Sequence, residues 1–382
     1  MTCIKATAVL RALKAPLSDR ALHSAMNILI PRPDAPSMEE KVAFLSRAGA
    51  FPGEGEAEAL QTHMSWVFLT GERAYKLKKP VRFPYLDFST LARRAQACRE
   101  ELRLNRRLAP EVYLGMAPLI LRPDGFRLGE LMRDGPSGAE TAADSVVDWL
   151  VVMRRLDHGR MLEDLIDDHV SEGALTRLSE RLANFYRHAP HARVTPAAWA
   201  RNRRADLTAA RAVLLDPRLN TPRGLVRRVL ALAARVGDRC EPLVRRRIRR
   251  GRLLDGHGDL RPEHIWLGDG VLVIDALEFN AALRAVDPLE EIAFLELECA
   301  RLKSPQVGQR LERKILWRLA ETRPEPLYAY YRSRRALQRA RLAMAHLLEP
   351  EPRRPEVWPA RTRAYLRFAL ADLERLNRVL NR

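Results

Sequence analysis

Two aspartates frame the segment of this sequence best equipped for chemistry. Asp259 sits in His257-Gly258-Asp259-Leu260-Arg261-Pro262-Glu263-His264, and Asp275 closes Val271-Leu272-Val273-Ile274-Asp275. Between them, 265–267 reads as a short strand, Gly268-Asp269-Gly270 as a turn that tolerates positive φ, and 271–274 as an apolar return strand. A hairpin draws together the residues at its two ends. Phosphoryl transfer from ATP needs such a pair of carboxylates: one to take the proton of an acceptor hydroxyl, one to hold magnesium against the phosphates. The bland alternative is a surface turn with chance acidic residues. A wholly apolar return strand that ends on an aspartate argues against it.

The N-terminal half supplies elements to serve that pair. Residues 66–69 and 74–78 read as strands around Gly71-Glu72, and the second carries Lys76 between Tyr75 and Leu77. A lysine with apolar strand neighbours needs an anionic partner, because an unpaired buried charge is costly. Lys78, two positions on, shares its strand face. The stretch 91–108 then places Leu91, Ala95, Cys98, Leu102 and Leu108 near one face of a helix, with Ser89 or Thr90 as N-cap and Pro110 as its stop. Glu101 on this helix is the favoured partner of Lys76; Lys78 and Glu100 are the rival choices, and a solvated edge-strand lysine is the plain one. Further strands are expected at 112–114, 117–121, 126–128 and 146–156, with a glycine- and proline-containing loop at 135–138. Ser37, with Glu40 three positions on, opens an earlier helix. From Gly159 to the end helical periodicity dominates, interrupted by the 257–275 hairpin. Strands first and helices after make an α+β plan.

The spacing H-x-D-x-x-x-x-N, followed by an aspartate after the next hairpin, is a kinase catalytic pattern. His257, Asp259 and Asp275 fit it, while His264 stands at the Asn position. The form His-Gly-Asp resembles the aminoglycoside phosphotransferase-like family more than protein kinases. The likeness is also carried by Thr62-His63-Met64-Ser65-Trp66-Val67-Phe68-Leu69-Thr70-Gly71, Ala74-Tyr75-Lys76-Leu77-Lys78-Lys79-Pro80-Val81, Leu86-Asp87-Phe88-Ser89-Thr90, Leu104-Asn105-Arg106-Arg107-Leu108-Ala109-Pro110 and Ile274-Asp275-Ala276-Leu277-Glu278-Phe279-Asn280. More narrowly, the chain resembles an uncharacterised bacterial group of that branch, over residues 38 to 350. Members of the group are often fused to a P-loop ATPase half, and no G-x-x-x-x-G-K-[ST] motif occurs in this sequence.

The resemblance implies a bilobal protein-kinase-like fold, with a small antiparallel-sheet N-lobe that holds one long helix and a larger, mainly helical C-lobe. The expected boundaries are 1–37 as an N-terminal extension, 38–156 as the nucleotide-binding lobe and 157–382 as the C-lobe. It implies ATP and Mg2+ as cofactors. Lys76 would grip the phosphates with Glu101 as its helix partner. Ser65 would belong to the polar loop over them, a loop that here lacks its glycines. Met153 and Arg155 would lie in the hinge whose backbone meets adenine. Asp259 would be the catalytic base, His257 the brace of its loop, and Asp275 the magnesium ligand. His264 would share the metal site, although imidazole suits a hard cation poorly. One metal only, a softer metal or weak catalysis would follow, with Glu278 or Asn280 as substitute oxygen donors. The implied activity moves the γ-phosphate of ATP to a hydroxyl of a small molecule. A pseudokinase-like nucleotide-binding scaffold, motivated by His264, is the alternative. Asp287-Pro288-Leu289-Glu290 reads as a helix start with a structural role.

Composition bounds the rest. With 382 residues, 47% hydrophobic and 30% charged, the chain can bury a substantial core. The apolar start is interrupted by Arg11 and Lys14, unlike a secretory signal, and no apolar run approaches the ~20 residues of a membrane span. A cytoplasmic protein with no membrane partner is expected. Cys3, Cys98, Cys240 and Cys299 are scattered, with no C-x-x-C pair to suggest zinc or a redox dithiol. The formal charge of +18 rests on 58 arginines and eight lysines. Its densest run, Arg245-Arg246-Arg247-Ile248-Arg249-Arg250, lacks interleaved aromatics. A nucleic-acid partner is therefore not expected, RNA binding through this run being the third reading. A basic field would instead draw an anionic small-molecule acceptor.

Overall fold

The structure, a computed structural model, describes residues 36–83, 85–135, 146–166, 170–349, 352 and 354–381. The expected N-terminal extension lies outside the described residues except for Pro36 and Ser37, as does the 135–138 loop except for Gly135. The chain divides into two compact units. Described residues 36–158 with Leu272–Asn280 make the first, and 159–271 with 281–381 make the second. The architecture is α+β, with the sheet in the first unit and most helices in the second. Among the described residues, no helix is long and apolar enough to cross a membrane.

The first unit opens with α1 (Met38–Leu45). Its start is a closed capping box: Ser37 Oγ accepts from the Glu40 amide, and Glu40 returns a carboxylate to the Ser37 amide at 2.7 Å. Eight strands follow: β1 (Glu58–Gln61), β2 (Ser65–Leu69), β3 (Arg73–Lys78), β4 (Arg82–Phe83), β5 (Leu86–Asp87), β6 (Tyr113–Arg122), β7 (Gly125–Leu128) and β8 (Val146–Arg154). Six of them form one antiparallel sheet in the order β1-β2-β3-β8-β6-β7. Helix α2 (Leu91–Asn105) lies between β5 and β6 in the chain, capped by Thr90. Alternation along β3 sets the plan. Tyr75 and Leu77 enter a core with Leu45, Phe51 and Phe68, while Lys76 and Lys78 point to the other face, toward α2.

Two elements differ from the sequence expectation. The strands expected separately at 112–114 and 117–121 are one continuous strand, β6, with Pro118 in its interior. Pro118 O accepts from the Gly129 amide, just past β7, so the donor that proline lacks faces the end of an edge strand and costs no interior rung. Helix α2 stops at Asn105, well before Pro110: beyond it the amides of Arg107 and Leu108 donate only three residues back, to Leu104 O and Asn105 O. Arg106 reaches the carbonyls of Tyr113, Leu114 and Arg133.

The second unit contains α3 (Leu162–Leu165), α4 (Glu172–His188), α5 (Pro196–Leu214), α6 (Arg223–Arg249), α7 (Ala281–Arg284), α8 (Pro288–Arg301), α9 (Pro305–Arg318), α10 (Glu325–Ala345) and α11 (Val357–Val379). Short strands β9 (Leu254–Asp255) and β12 (Ala285–Val286) pair antiparallel, and β10 (Ile265–Leu267) with β11 (Val271–Val273) forms the expected hairpin. The boundary between the units falls within β11. Asp287 does cap α8, accepting from the Leu289 amide. Glu290 does not close a capping box there; it pairs instead with Arg334 and Arg335 of α10.

Candidate functional site

In the first unit, five charged side chains meet beneath the sheet. Lys76 Nζ lies 2.7 Å from Glu101 Oε1 and 3.2 Å from Asp275 Oδ1. Lys78 Nζ lies 2.7 Å from Glu101 Oε2 and 2.6 Å from Glu278 Oε1, fully buried, with the Phe88 ring below it at 4.9 Å. The two lysines treated as rivals in the sequence therefore share one carboxylate. Spacing of two along β3 brings both over α2, and Glu101 divides its oxygens between them. Glu100 points outward to Arg103. The cluster holds two ammonium groups and three carboxylates, a surplus of one negative charge in buried surroundings.

The electrostatics follow. Burial alone would lower the Lys76 and Lys78 ammonium groups. Asp275, Glu101 and Glu278 overturn this for Lys76, and Glu101 with Glu278 for Lys78, holding both above the ordinary lysine value. Burial would raise the Glu101 carboxyl, but Lys76 and Lys78 keep it below its usual range.

Asp275 is fixed through its backbone as well. Its φ is 63°, in the left-handed region that aspartate enters at modest cost and branched residues avoid. The Asp275 amide donates to Tyr113 Oη at 3.1 Å, and the next amide, Ala276, donates to Asn105 Oδ1 at 2.8 Å. Asn105, the last residue of α2, thus holds this segment.

Three expected nucleotide-site positions are placed less simply. Ser65 is buried at the start of β2 opposite Lys78, with its amide donating to Thr62 Oγ1 at 2.9 Å. The loop before it carries His63, stacked on Phe83 with ring centroids 5.1 Å apart. Met153 is a rung of β8 between Ala74 and Tyr113. Arg155 directly follows β8, and its backbone is engaged on the donor side. Its N–H donates to Glu72 O at 2.7 Å, and its guanidinium donates to Thr70 O.

In the second unit, the loop holding Asp259 is tied from behind. Gly258 adopts φ 89°, and a Cβ on Gly256 would meet the Glu291 carboxylate at 2.7 Å. Glu291, fully buried on α8, accepts from the amides of His257 and Gly258 and from Tyr186 Oη at 3.1 Å. Arg335 donates to Gly258 O at 3.2 Å. Neither Glu291 nor Arg335 is signalled by any local motif.

Asp259 itself is 4% exposed. Arg261 sets its guanidinium against Asp259 Oδ2 at 3.0 Å and pairs with Glu263 on its other side at 2.5 Å. His257 accepts the Asp259 amide on Nδ1 at 3.3 Å, a brace of the loop. Burial would raise the Asp259 carboxyl, but Arg261, then His264, Arg339 and His257, hold it below the usual range.

The expected metal role of His264 is not compatible with its surroundings. Its ring is buried, Nδ1 donates to Asp259 O at 2.9 Å, and Nε2 accepts from Arg261 at 3.3 Å. Both nitrogens are occupied, so no lone pair remains for a cation. Close by, Glu163 is held the opposite way from Asp259: burial, then Glu263 and Asp164, push its carboxyl up to about 7.

No family model matches the chain. An uncharacterized protein of Mycobacterium bovis and one of Mycobacterium tuberculosis are each 31% identical over 304 residues, covering 76% of this chain and 55% of the relative. The chain thus spans about half the length of the curated relatives it matches. Among solved structures, the GDP complex of wild-type aminoglycoside 2'-phosphotransferase-IIIa is 16% identical, with TM-score 0.48, covering 88% of this chain and 99% of that one. A choline/ethanolamine kinase family protein from Mesorhizobium loti is 17% identical, with TM-score 0.48, covering 88% and 98%.

Proposed function

We propose that the chain is an ATP-dependent phosphotransferase of the aminoglycoside phosphotransferase-like kind, moving the γ-phosphate to a hydroxyl of a small molecule. The observation that carries this reading is Lys76, held between Glu101 of α2 and an aspartate with left-handed backbone at position 275. A structural ion pair needs neither a second carboxylate nor a left-handed backbone at a residue other than glycine. A phosphate grip with a metal ligand beside it uses both.

The roles divide between the units. In the first, Lys76 binds phosphate oxygens while Glu101 keeps its ammonium in place, and Lys78 with Glu278 stays as the fixed pair. Asp275, a hard oxygen donor within a cluster that carries one surplus negative charge, suits a magnesium ion. Magnesium, when bound, neutralises charge on the β- and γ-phosphates. In the second unit, Asp259 orients the acceptor hydroxyl and takes its proton. Its depressed pKa keeps it ionised at neutral pH, and a loose phosphoryl-transfer transition state asks little basicity of it.

His264 favours a second reading, a nucleotide-binding scaffold without turnover, since no Asn-like oxygen stands at its position. Thermal-shift titration with ATP, with and without Mg2+, beside ATP consumption on a panel of hydroxyl metabolites separates the two. The phosphotransferase reading expects stabilisation by ATP, its loss in Lys76→Met, and turnover on at least one acceptor. Binding without turnover on any acceptor leaves the scaffold. Absence of any nucleotide effect removes both.

A further inference from the structure

Exposed arginines line up not along the run at 245–250, of which only Arg246 shares the line, but in two stripes on neighbouring helices of the second unit. On α6, Arg228, Arg235, Arg239 and Arg246 fall within about 40° of one line at 3.6 residues per turn. On α11, Arg363, Arg367 and Arg378 fall within about 60° of another, with Glu374 between them. All seven arginines are exposed.

Two contacts put both stripes on one side of the molecule. Arg228 pairs with Glu374 at 2.5 Å, and Arg239 donates to Leu380 O at 3.0 Å and to Asn381. Advancing along α6 from 228 to 239 therefore matches advancing along α11 from 374 to 381. The stripes flank one seam, and together they extend about 40 Å at 1.5 Å per residue. Glu374 is the one acid in either stripe, and it is spent on Arg228. Arg235, Arg246, Arg363, Arg367 and Arg378 make no ion pair with any described residue.

We infer that this seam binds a nucleic-acid strand through its phosphates, without reading bases. A narrow, elongated row of guanidinium forks matches a linear polyanion, and arginine engages phosphate oxygens in pairs. No aromatic side chain lies in either stripe to stack a base. An anionic membrane fits less well. Among the described residues the exposed large hydrophobics are Leu131, Trp317 and Val379, and Val379 sits more than a quarter turn off the α11 stripe, so nothing apolar accompanies the charge into a bilayer. The inference goes beyond the phosphotransferase reading and stands whether or not that reading does.

The test is fluorescence anisotropy of the full chain with a labelled, mixed-sequence single-stranded RNA of about 20 nucleotides, at salt between about 50 and 300 mM. The expected result is binding whose log–log salt slope is about −3 to −4, from five unpaired arginines. Arg235→Glu with Arg378→Glu should weaken binding at least about tenfold and flatten that slope by about 1.4. Arg122→Glu with Arg127→Glu, an equal charge change on exposed residues of the first unit, should stay within about threefold. Circular dichroism and unfolding midpoints check that both variants fold. Equal loss in the two variants would reduce the effect to net charge and overturn the seam. Stripe-dependent binding to phosphatidylserine vesicles without RNA binding would overturn the choice of partner, and no RNA binding at the lowest salt would overturn both.

Discussion

The lysine cluster of the first unit and the Asp259 loop of the second are held by opposite means. The cluster is side chain on side chain: two ammonium groups shared among three carboxylates, Lys76 between Glu101 and Asp275 and Lys78 between Glu101 and Glu278. The loop is gripped by its backbone: Glu291 takes two of its amides, Arg335 takes a carbonyl, and His264 takes another. An arrangement of ions can be redistributed by an incoming anion or cation, because the cost of leaving one partner is offset by gaining the next. A backbone held by buried carboxylate and guanidinium groups has no such second state. The first region is built to respond and the second to stay still.

The contrast is sharpest at Asp259. Asp259→Asn should lower phosphate release from ATP, with water standing in for the acceptor, by about 10²–10⁴-fold, while nucleotide affinity stays within about threefold in a titration. A similar fall in affinity would mean that Asp259 shapes the pocket rather than the reaction. In the first unit the largest effect belongs to the fixed pair. Lys78→Met should destabilise the fold by about 3–5 kcal/mol in denaturant unfolding, since it strands Glu278 and half of Glu101 in buried space. Adding Glu278→Gln should restore part of that loss. Two additive losses would show that the pair is not coupled.

A pH-dependent effect is expected from Glu163, whose folded carboxyl sits at about 7 against an ordinary 4.5. Because the folded value is raised, its contribution to stability is complete below about 4.5 and lost as pH rises through about 7. Glu163→Gln should flatten the stability profile across that window and leave the variant more stable than the parent at about pH 8. An unchanged slope would place the titration elsewhere. The smallest effect should come from Tyr113→Phe, which removes the hydroxyl that accepts the Asp275 amide and should cost about 0.5–1.5 kcal/mol. Faster amide exchange confined to 272–280 would locate it.

Where interactions are local, the sequence was sufficient. The capping box at Ser37 and Glu40, the hairpin after Asp259, the cap at Asp287 and the shared face of Lys76 and Lys78 follow from spacing alone. What spacing leaves out is who arrives from afar. Glu291 and Arg335 reach the Asp259 loop from helices whose periodicity shows only that they are helices. The sequence sets Lys78 against Lys76 as competitors for Glu101, when a carboxylate has two oxygens and serves both. Residues 115–116 read as a gap between two strands because the close approach of Met132 O to Gly115 is not visible in one dimension. His264 appears as a metal ligand by alignment with a pattern, and burial against Arg261 decides otherwise.

The left-handed backbone at Asp275 narrows the alphabet at that position twice over. Glutamate keeps the charge, yet its longer chain would overshoot Lys76 and its backbone tolerates the turn less well. Glycine accepts the turn and loses the carboxylate. Asparagine alone preserves both shape and twist while removing the charge, so it is the one replacement that asks what the negative charge does without also asking what the fold permits.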